Sequence, residues 1–80
     1  MEDQIRRFLA ASFFVDDIAV DASFLETGVI DSTGVLELVT FVEDEFSIDV
    51  VDDDLRPENL DSIERLVEFI ERKQRTTAVA

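Results

Sequence analysis

Apolar residues recur along this chain at intervals of three and four, the spacing that places side chains on one face of an α-helix. The pattern is clearest over residues 32–46, where it predicts a helix with one buried stripe. The residues of that stripe are Val35, Leu38, Val39, Val42 and Phe46. Residues 2–14 and 62–74 show the same spacing and predict a first and a last helix. The three stripes are expected to pack on one another as a common core.

The connections between these helices differ in length and pattern. Residues 15–31 have no sustained period and predict a long loop, held to the core by its apolar residues Phe24, Leu25, Val29 and Ile30. Residues 48–50 predict an extended link, and residues 55–60 predict one short helical turn that tolerates Pro57 only at its beginning. No alternating run is long enough for a sheet. We therefore expect an all-α fold, a small four-helix bundle of three main helices and one short one.

The length of 80 residues predicts one domain, over residues 1–75, followed by a flexible tail over residues 76–80. Cysteine and histidine are both absent, which excludes disulfides, thiolate chemistry, serine–histidine triads and the usual zinc sites. No apolar run reaches the length of a membrane span, and the acidic N-terminus does not look like a signal peptide. We expect a cytoplasmic monomer that does not bind membranes.

Charge narrows the range of partners. The formal net charge is −13, and seven of the twelve residues from 43 to 54 are acidic. Such a surface repels the phosphate backbone of nucleic acids, and it attracts proteins with basic patches. Nucleic-acid binding is therefore not expected, whereas docking to basic protein surfaces is.

Three consecutive acids, Asp52, Asp53 and Asp54, raise the alternative of a calcium site. An EF-hand loop needs alternating oxygen ligands and a central glycine. Here Leu55 and Pro57 fall at ligand positions and no glycine follows. We expect a solvated acidic loop and no dedicated metal site.

A serine stands where the second helix should begin. Either Asp31 or Ser32 can cap that helix, just as Asp61 or Ser62 can cap the last one. By position alone, Ser32 is most simply a cap. If Asp31 takes over the capping, the Ser32 hydroxyl is left free for modification. A phosphate ester on it would meet unpaired amides at the positive end of the helix.

Three segments together resemble the acyl or peptidyl carrier proteins. They are Gly-Val-Ile-Asp-Ser-Thr-Gly-Val-Leu-Glu-Leu-Val (28–39), Phe-Val-Glu-Asp-Glu-Phe-Ser-Ile-Asp-Val (41–50) and Pro-Glu-Asn-Leu-Asp-Ser-Ile (57–63). In that family an Asp-Ser pair opens the second helix, and the serine carries 4′-phosphopantetheine. The resemblance covers residues 5–72. It implies a non-catalytic carrier with Ser32 as the attachment site and Asp31 as its flanking residue.

The same resemblance implies partners. A phosphopantetheinyl transferase would attach the group, an adenylating ligase or acyltransferase would load it, and downstream biosynthetic enzymes would dock through basic patches. Leu36 lies off the buried stripe and would serve as an apolar anchor for those enzymes. The expected docking residues are Thr33, Leu36, Glu37, Thr40, Glu43 and Asp44.

Two positions depart from the fatty-acid carriers, in which leucine commonly follows the serine. Here Thr33 and Gly34 follow, an arrangement that looks closer to D-alanyl and other stand-alone aminoacyl carriers. We therefore expect a carrier of secondary metabolism, of the polyketide or nonribosomal type. The alternative is an acidic helical interaction module without a prosthetic group, in which Ser32 is only a cap.

Overall fold

Five α-helices and one 3₁₀ turn make up the protein in a computed structural model, which describes the backbone of residues 1–79 and the side chains of residues 1–75. The helices are α1 Glu2–Phe13, α2 Phe24–Thr27, α3 Gly34–Phe46, α4 Pro57–Leu60 and α5 Ile63–Val79. The 3₁₀ turn spans Asp52–Asp54, and no strand occurs within residues 1–79. The predicted all-α bundle is confirmed. Over the same range, no helix has the length and apolar character needed to cross a membrane.

The segment predicted as an uninterrupted loop contains the one-turn helix α2, so that prediction was wrong for Phe24–Thr27. Ser23 caps this turn, since its Oγ accepts a hydrogen bond from the Glu26 amide at 3.1 Å. Gly28 ends it in a left-handed conformation, with φ of 76°, which glycine adopts without strain. Four residues are too few to show helical periodicity, so the sequence pattern gave no sign of α2.

The last helix continues to Val79, beyond the predicted end at residue 74. The division into a carrier domain over residues 1–75 and a flexible tail over residues 76–80 stays a prediction. Ala80 lies outside the described residues.

The core draws on every helix and on the links between them. The buried apolar residues are Ile5, Leu9, Ile18, Phe24, Ile30, Leu38, Val42, Ile48, Leu60, Ile63, Leu66, Phe69 and Ile70. Of the four apolar residues expected to pin the long loop, Phe24 and Ile30 are buried, whereas Leu25 is 51% exposed. A hydrogen bond also joins this segment to the link between α4 and α5, where the Phe24 amide donates to the Asp61 carbonyl oxygen at 2.7 Å. The loop is thereby held firmly just ahead of α3.

Aromatic rings join α1 to α3. Phe8 and Phe41 stack with ring centroids 4.2 Å apart, and Phe13 meets Phe8 edge to face at 5.7 Å. Gly34 leaves room for this packing, because a Cβ atom there would lie only 2.9 Å from Phe13 Cε1. The first turn of α3 is thus set closely against the end of α1.

Candidate attachment site

Asp31 caps α3. Its Oδ1 accepts a hydrogen bond from the Gly34 amide at 2.8 Å, and its carbonyl oxygen accepts one from the Val35 amide at 3.1 Å. Regular helix begins at Gly34, two residues after the predicted start at residue 32. The hydrogen-bond pattern of the helix nevertheless begins at Asp31, which satisfies one of the amides that a helix start leaves unpaired.

The Ser32 side chain takes no part in capping α3. The residue is exposed, and among the described residues nothing forms a hydrogen bond with its hydroxyl. The chain also contains no histidine to act as a base beside it. A hydroxyl that is accessible but not activated cannot run nucleophilic chemistry by itself. It is suited to receive a group from another enzyme.

Ser32 borders an open groove of about 240 Å³. Its apolar lining consists of Phe24, Leu25, Ile30, Val35, Leu55, Pro57 and Leu60. The polar residues of the groove are Ser32, Arg56 and Asp61. A group attached to Ser32 therefore has an apolar surface directly beside it. The sequence pattern does not indicate this groove, because its lining comes from α2, α3 and the segment around α4, which are far apart in the chain.

Asp61 forms part of the groove wall and is held in place by the fold. Its Oδ2 accepts a hydrogen bond from Ser23 Oγ at 2.5 Å, and its Oδ1 accepts one from the Leu25 amide at 3.1 Å. The neighbouring Ser62 is buried and caps α5, with its Oγ accepting a hydrogen bond from the Arg65 amide at 3.1 Å. Asp61 therefore ties α2 to the start of α5 and leaves the capping to Ser62.

Five of the six predicted docking residues are exposed on α3 or just before it: Thr33, Leu36, Glu37, Thr40 and Asp44. Leu36 is 66% exposed. Glu43 differs from the rest, because it is half-buried and its Oε2 accepts a hydrogen bond from the Val50 amide at 3.0 Å. Its carboxylate is engaged in holding the link after α3.

The exposed face of α3 continues onto α1. Leu36, Glu37 and Thr40 share a shallow surface depression with Phe8 and Phe41. The Phe8 ring of α1 is only partly buried. The stacked aromatic pair therefore adds apolar surface beside Leu36.

The acidic turn also has an internal role. Asp54 Oδ2 pairs with Lys73 Nζ at 2.6 Å and accepts a hydrogen bond from the Val51 amide at 3.1 Å. Burial acts to raise the pKa of Asp54. The hydrogen bonds from Lys73 and Val51, with the charges of Lys73 and Arg72, outweigh it and hold the pKa below its usual range. This carboxylate ties the turn to α5.

Comparison with known proteins identifies the family to which the chain is similar. A family model described as "Phosphopantetheine attachment site" matches residues 4–70. The chain is 32% identical over 73 residues to acyl carrier protein 2 of Pseudomonas aeruginosa, an alignment that covers 89% of this chain and 90% of that protein. It is 29% identical over 77 residues to the acyl carrier protein of Buchnera aphidicola, with 94% and 95% covered. The acyl carrier protein of Chlamydia trachomatis is 28% identical over 76 residues, with 92% and 96% covered.

Proposed function

The chain belongs to the phosphopantetheine-attachment family of acyl carrier proteins, and on that premise we propose that Ser32 is its attachment residue. Proteins of this family are carriers without catalytic activity, and their prosthetic group is 4′-phosphopantetheine. When bound, the group supplies a thiol on which a carried group is held as a thioester. The alternative of an interaction module without a prosthetic group is not supported, because the family match spans residues 4–70.

One observation carries the assignment to Ser32. Its hydroxyl is exposed and unbonded, while Asp31 does the capping that Ser32 would otherwise do. The amides and positive end of α3 favour a negatively charged ester at this position. The apolar groove beside Ser32 supplies a surface for part of the attached group. The residues present therefore fit the group that the family carries.

Intact mass measurement tests this proposal. The purified protein and Ser32→Ala are each treated with coenzyme A and a promiscuous phosphopantetheinyl transferase. We expect the wild type to gain the mass of one phosphopantetheinyl group and the variant to gain none. No gain in the wild type, or an equal gain in a folded Ser32→Ala, would contradict the proposal. Circular dichroism establishes that the variant is folded.

For the carried group, we propose an aminoacyl or other small acyl unit used in secondary metabolism in the cytoplasm. Thr33 and Gly34, which depart from the fatty-acid carriers, support this proposal, although Gly34 also has a packing role against Phe13. The groove is open to solvent, so its volume of about 240 Å³ does not limit the size of the carried group. Mass spectrometry of protein isolated from its natural host identifies the carried group. A small aminoacyl or acyl thioester supports the proposal, and long saturated chains contradict it.

Enzymes that load and use the carrier are proposed to dock on the exposed face of α3. They are an adenylating ligase or acyltransferase and the downstream biosynthetic enzymes. Leu36 supplies apolar contact, and Glu37 and Asp44 supply exposed negative charge. The predicted role of Glu43 is kept in the proposal, although its carboxylate is engaged by Val50.

A charge-reversal pair tests this docking surface, with the phosphopantetheinyl transferase as the partner. Glu37→Lys is expected to slow the modification of Ser32 about tenfold at low salt, with the effect shrinking as salt is added. Glu26→Lys is the matched control, since it reverses an exposed charge on α2 instead of α3. Equal rates for the two variants would contradict the proposed surface.

A further inference from the structure

Arg56 lines the groove beside Ser32. Apart from this residue and Asp61, the lining of the groove is uncharged. The Asp61 carboxylate already accepts two hydrogen bonds. Arg56 is exposed, and its guanidinium has no hydrogen bond or ion pair within the part of the chain that the structure describes. The chain has 20 acidic and 7 basic residues, yet Arg56 is not used in an ion pair with a described residue.

The backbone holds Arg56 at a defined position. The residue is extended, with φ of −131° and ψ of 147°, as the residue before a proline prefers. Its carbonyl oxygen accepts hydrogen bonds from the amides of Asn59 at 3.0 Å and Leu60 at 3.1 Å, which close the α4 turn. Because Leu60 is buried in the core, the start of the Arg56 side chain is fixed relative to the groove.

A guanidinium in this position suits an anion with several oxygens. It stays charged at all physiological pH values and presents a planar fork of donors that matches phosphate oxygens. Ser32 and Arg56 line the same groove of about 240 Å³, so the two side chains border one surface.

We propose that Arg56 binds the phosphodiester of the group on Ser32 and thereby directs the attached arm along the groove. This inference rests on the proposed attachment at Ser32. The same guanidinium would also suit a carboxylate at the far end of a carried group, since both ligands are anionic oxygens. The phosphodiester is favoured because the bond to Ser32 fixes its position at the groove, whereas a carried group varies.

Nuclear magnetic resonance of protein that mass spectrometry shows to be fully modified tests this inference. Failure of the attachment proposal is therefore seen first, as absence of a mass gain on Ser32. In the modified wild type, we expect the ³¹P resonance to be displaced from its value in the urea-unfolded protein. Arg56→Gln should lose more than half of that displacement. Arg65→Gln is the matched control, because it removes an exposed arginine on α5 outside the groove, and it should keep the full displacement.

The Arg56 Nε–H resonance separates the two sources of the anion. It should move when the unmodified protein is converted to the free-thiol form, and it should move no further when that thiol carries a succinyl or an acetyl group. A shift that appears only with the succinyl thioester would overturn the assignment to the phosphodiester. Equal ³¹P displacement in the wild type and in Arg56→Gln would overturn it as well. The melting temperatures of the unmodified wild type and Arg56→Gln should agree, because the Arg56 guanidinium has no partner among the described residues.

Discussion

The dipeptide Asp-Ser occurs twice in this protein, each time near the start of a long helix. The aspartate caps the helix in one pair, and the serine caps it in the other. At residues 31–32 the aspartate caps α3 and the serine is exposed with a free hydroxyl. At residues 61–62 the serine caps α5 and is buried, and the aspartate is bound to Ser23 and Leu25. The same two residue types therefore form the proposed attachment site at one helix and a structural link between α2 and α5 at the other.

Tertiary contacts decide the difference. Asp61 has the cap of α2 beside it, so its carboxylate is drawn away from the start of α5 and Ser62 takes the cap. Asp31 has no such competitor among the described residues, and it turns to the Gly34 amide. A free serine at a helix start is therefore a property of its surroundings and cannot be read from the dipeptide.

The largest expected effect comes from the aspartates. Asp61→Ala removes two hydrogen bonds to a charged acceptor and should lower the free energy of unfolding by about 2 kcal/mol. Asp31→Ala removes one cap and should cost about 1 kcal/mol. Urea denaturation of both variants measures the difference. An equal loss would show that the two aspartates do not differ in their structural roles.

For the serines, too, the larger loss of unfolding free energy is expected at the second pair. Ser62→Ala removes the cap of α5 and should cost about 1 kcal/mol of unfolding free energy. Ser32→Ala removes a hydroxyl without a partner and should change it by less than ~0.5 kcal/mol. The same denaturation experiment applies. A larger loss for Ser32→Ala than for Ser62→Ala would contradict the claim that Ser62 is a helix cap and Ser32 is not.

Gly34 sharpens the account of α3. Helix propensity alone predicts that Gly34→Ala stabilises the protein by up to ~1 kcal/mol. Contact with the Phe13 ring at 2.9 Å should reverse the sign and cost about 1 kcal/mol instead. Adding Phe13→Leu to Gly34→Ala tests the cause, because it removes the aromatic ring that the new methyl group meets. If Gly34→Ala alone raises the melting temperature, the proposed contact is wrong.

A small effect is expected at Asp54, whose ion pair with Lys73 ties the acidic turn to α5. Asp54→Asn should lower the free energy of unfolding by about 0.5 kcal/mol at pH 7, since it loses a partly exposed ion pair with Lys73. The folded-state pKa of Asp54 lies below its unfolded value of about 3.9, so the ion pair stabilises the protein above that pH. The difference from wild type should disappear as the pH falls through the folded-state pKa.

A matched control for that measurement is Asp53→Asn. It makes the same charge change at an exposed neighbour with no ion pair to a described residue. It should change the free energy of unfolding at pH 7 by less than ~0.5 kcal/mol. A pH-independent loss in Asp54→Asn would show that the ion pair with Lys73 does not stabilise the fold.

Helical periodicity was enough to predict the three long helices, because burial of one face imposes that spacing. Of the stripe named for α3, Leu38 and Val42 are buried, and Val35, Val39 and Phe46 are partly buried. The resemblance across residues 28–50 singled out Ser32. The sequence did not indicate α2, the groove or the engagement of Glu43, since each depends on residues far apart in the chain. It also left open which residue of each Asp-Ser pair is the cap, and only the position of Ser23 beside Asp61 explains the outcome.

Peptide mapping of the modified protein tests the central claim most directly, because the two serines fall in different fragments. Cleavage after Glu26 and Glu37 releases residues 27–37, in which Ser32 is the only serine. Cleavage after Glu58 and Glu64 releases residues 59–64, in which Ser62 is the only serine. We predict that tandem mass spectrometry finds the phosphopantetheinyl group on the first fragment, at Ser32, and an unmodified second fragment. A group on residues 59–64, or on any residue other than Ser32, would contradict the account.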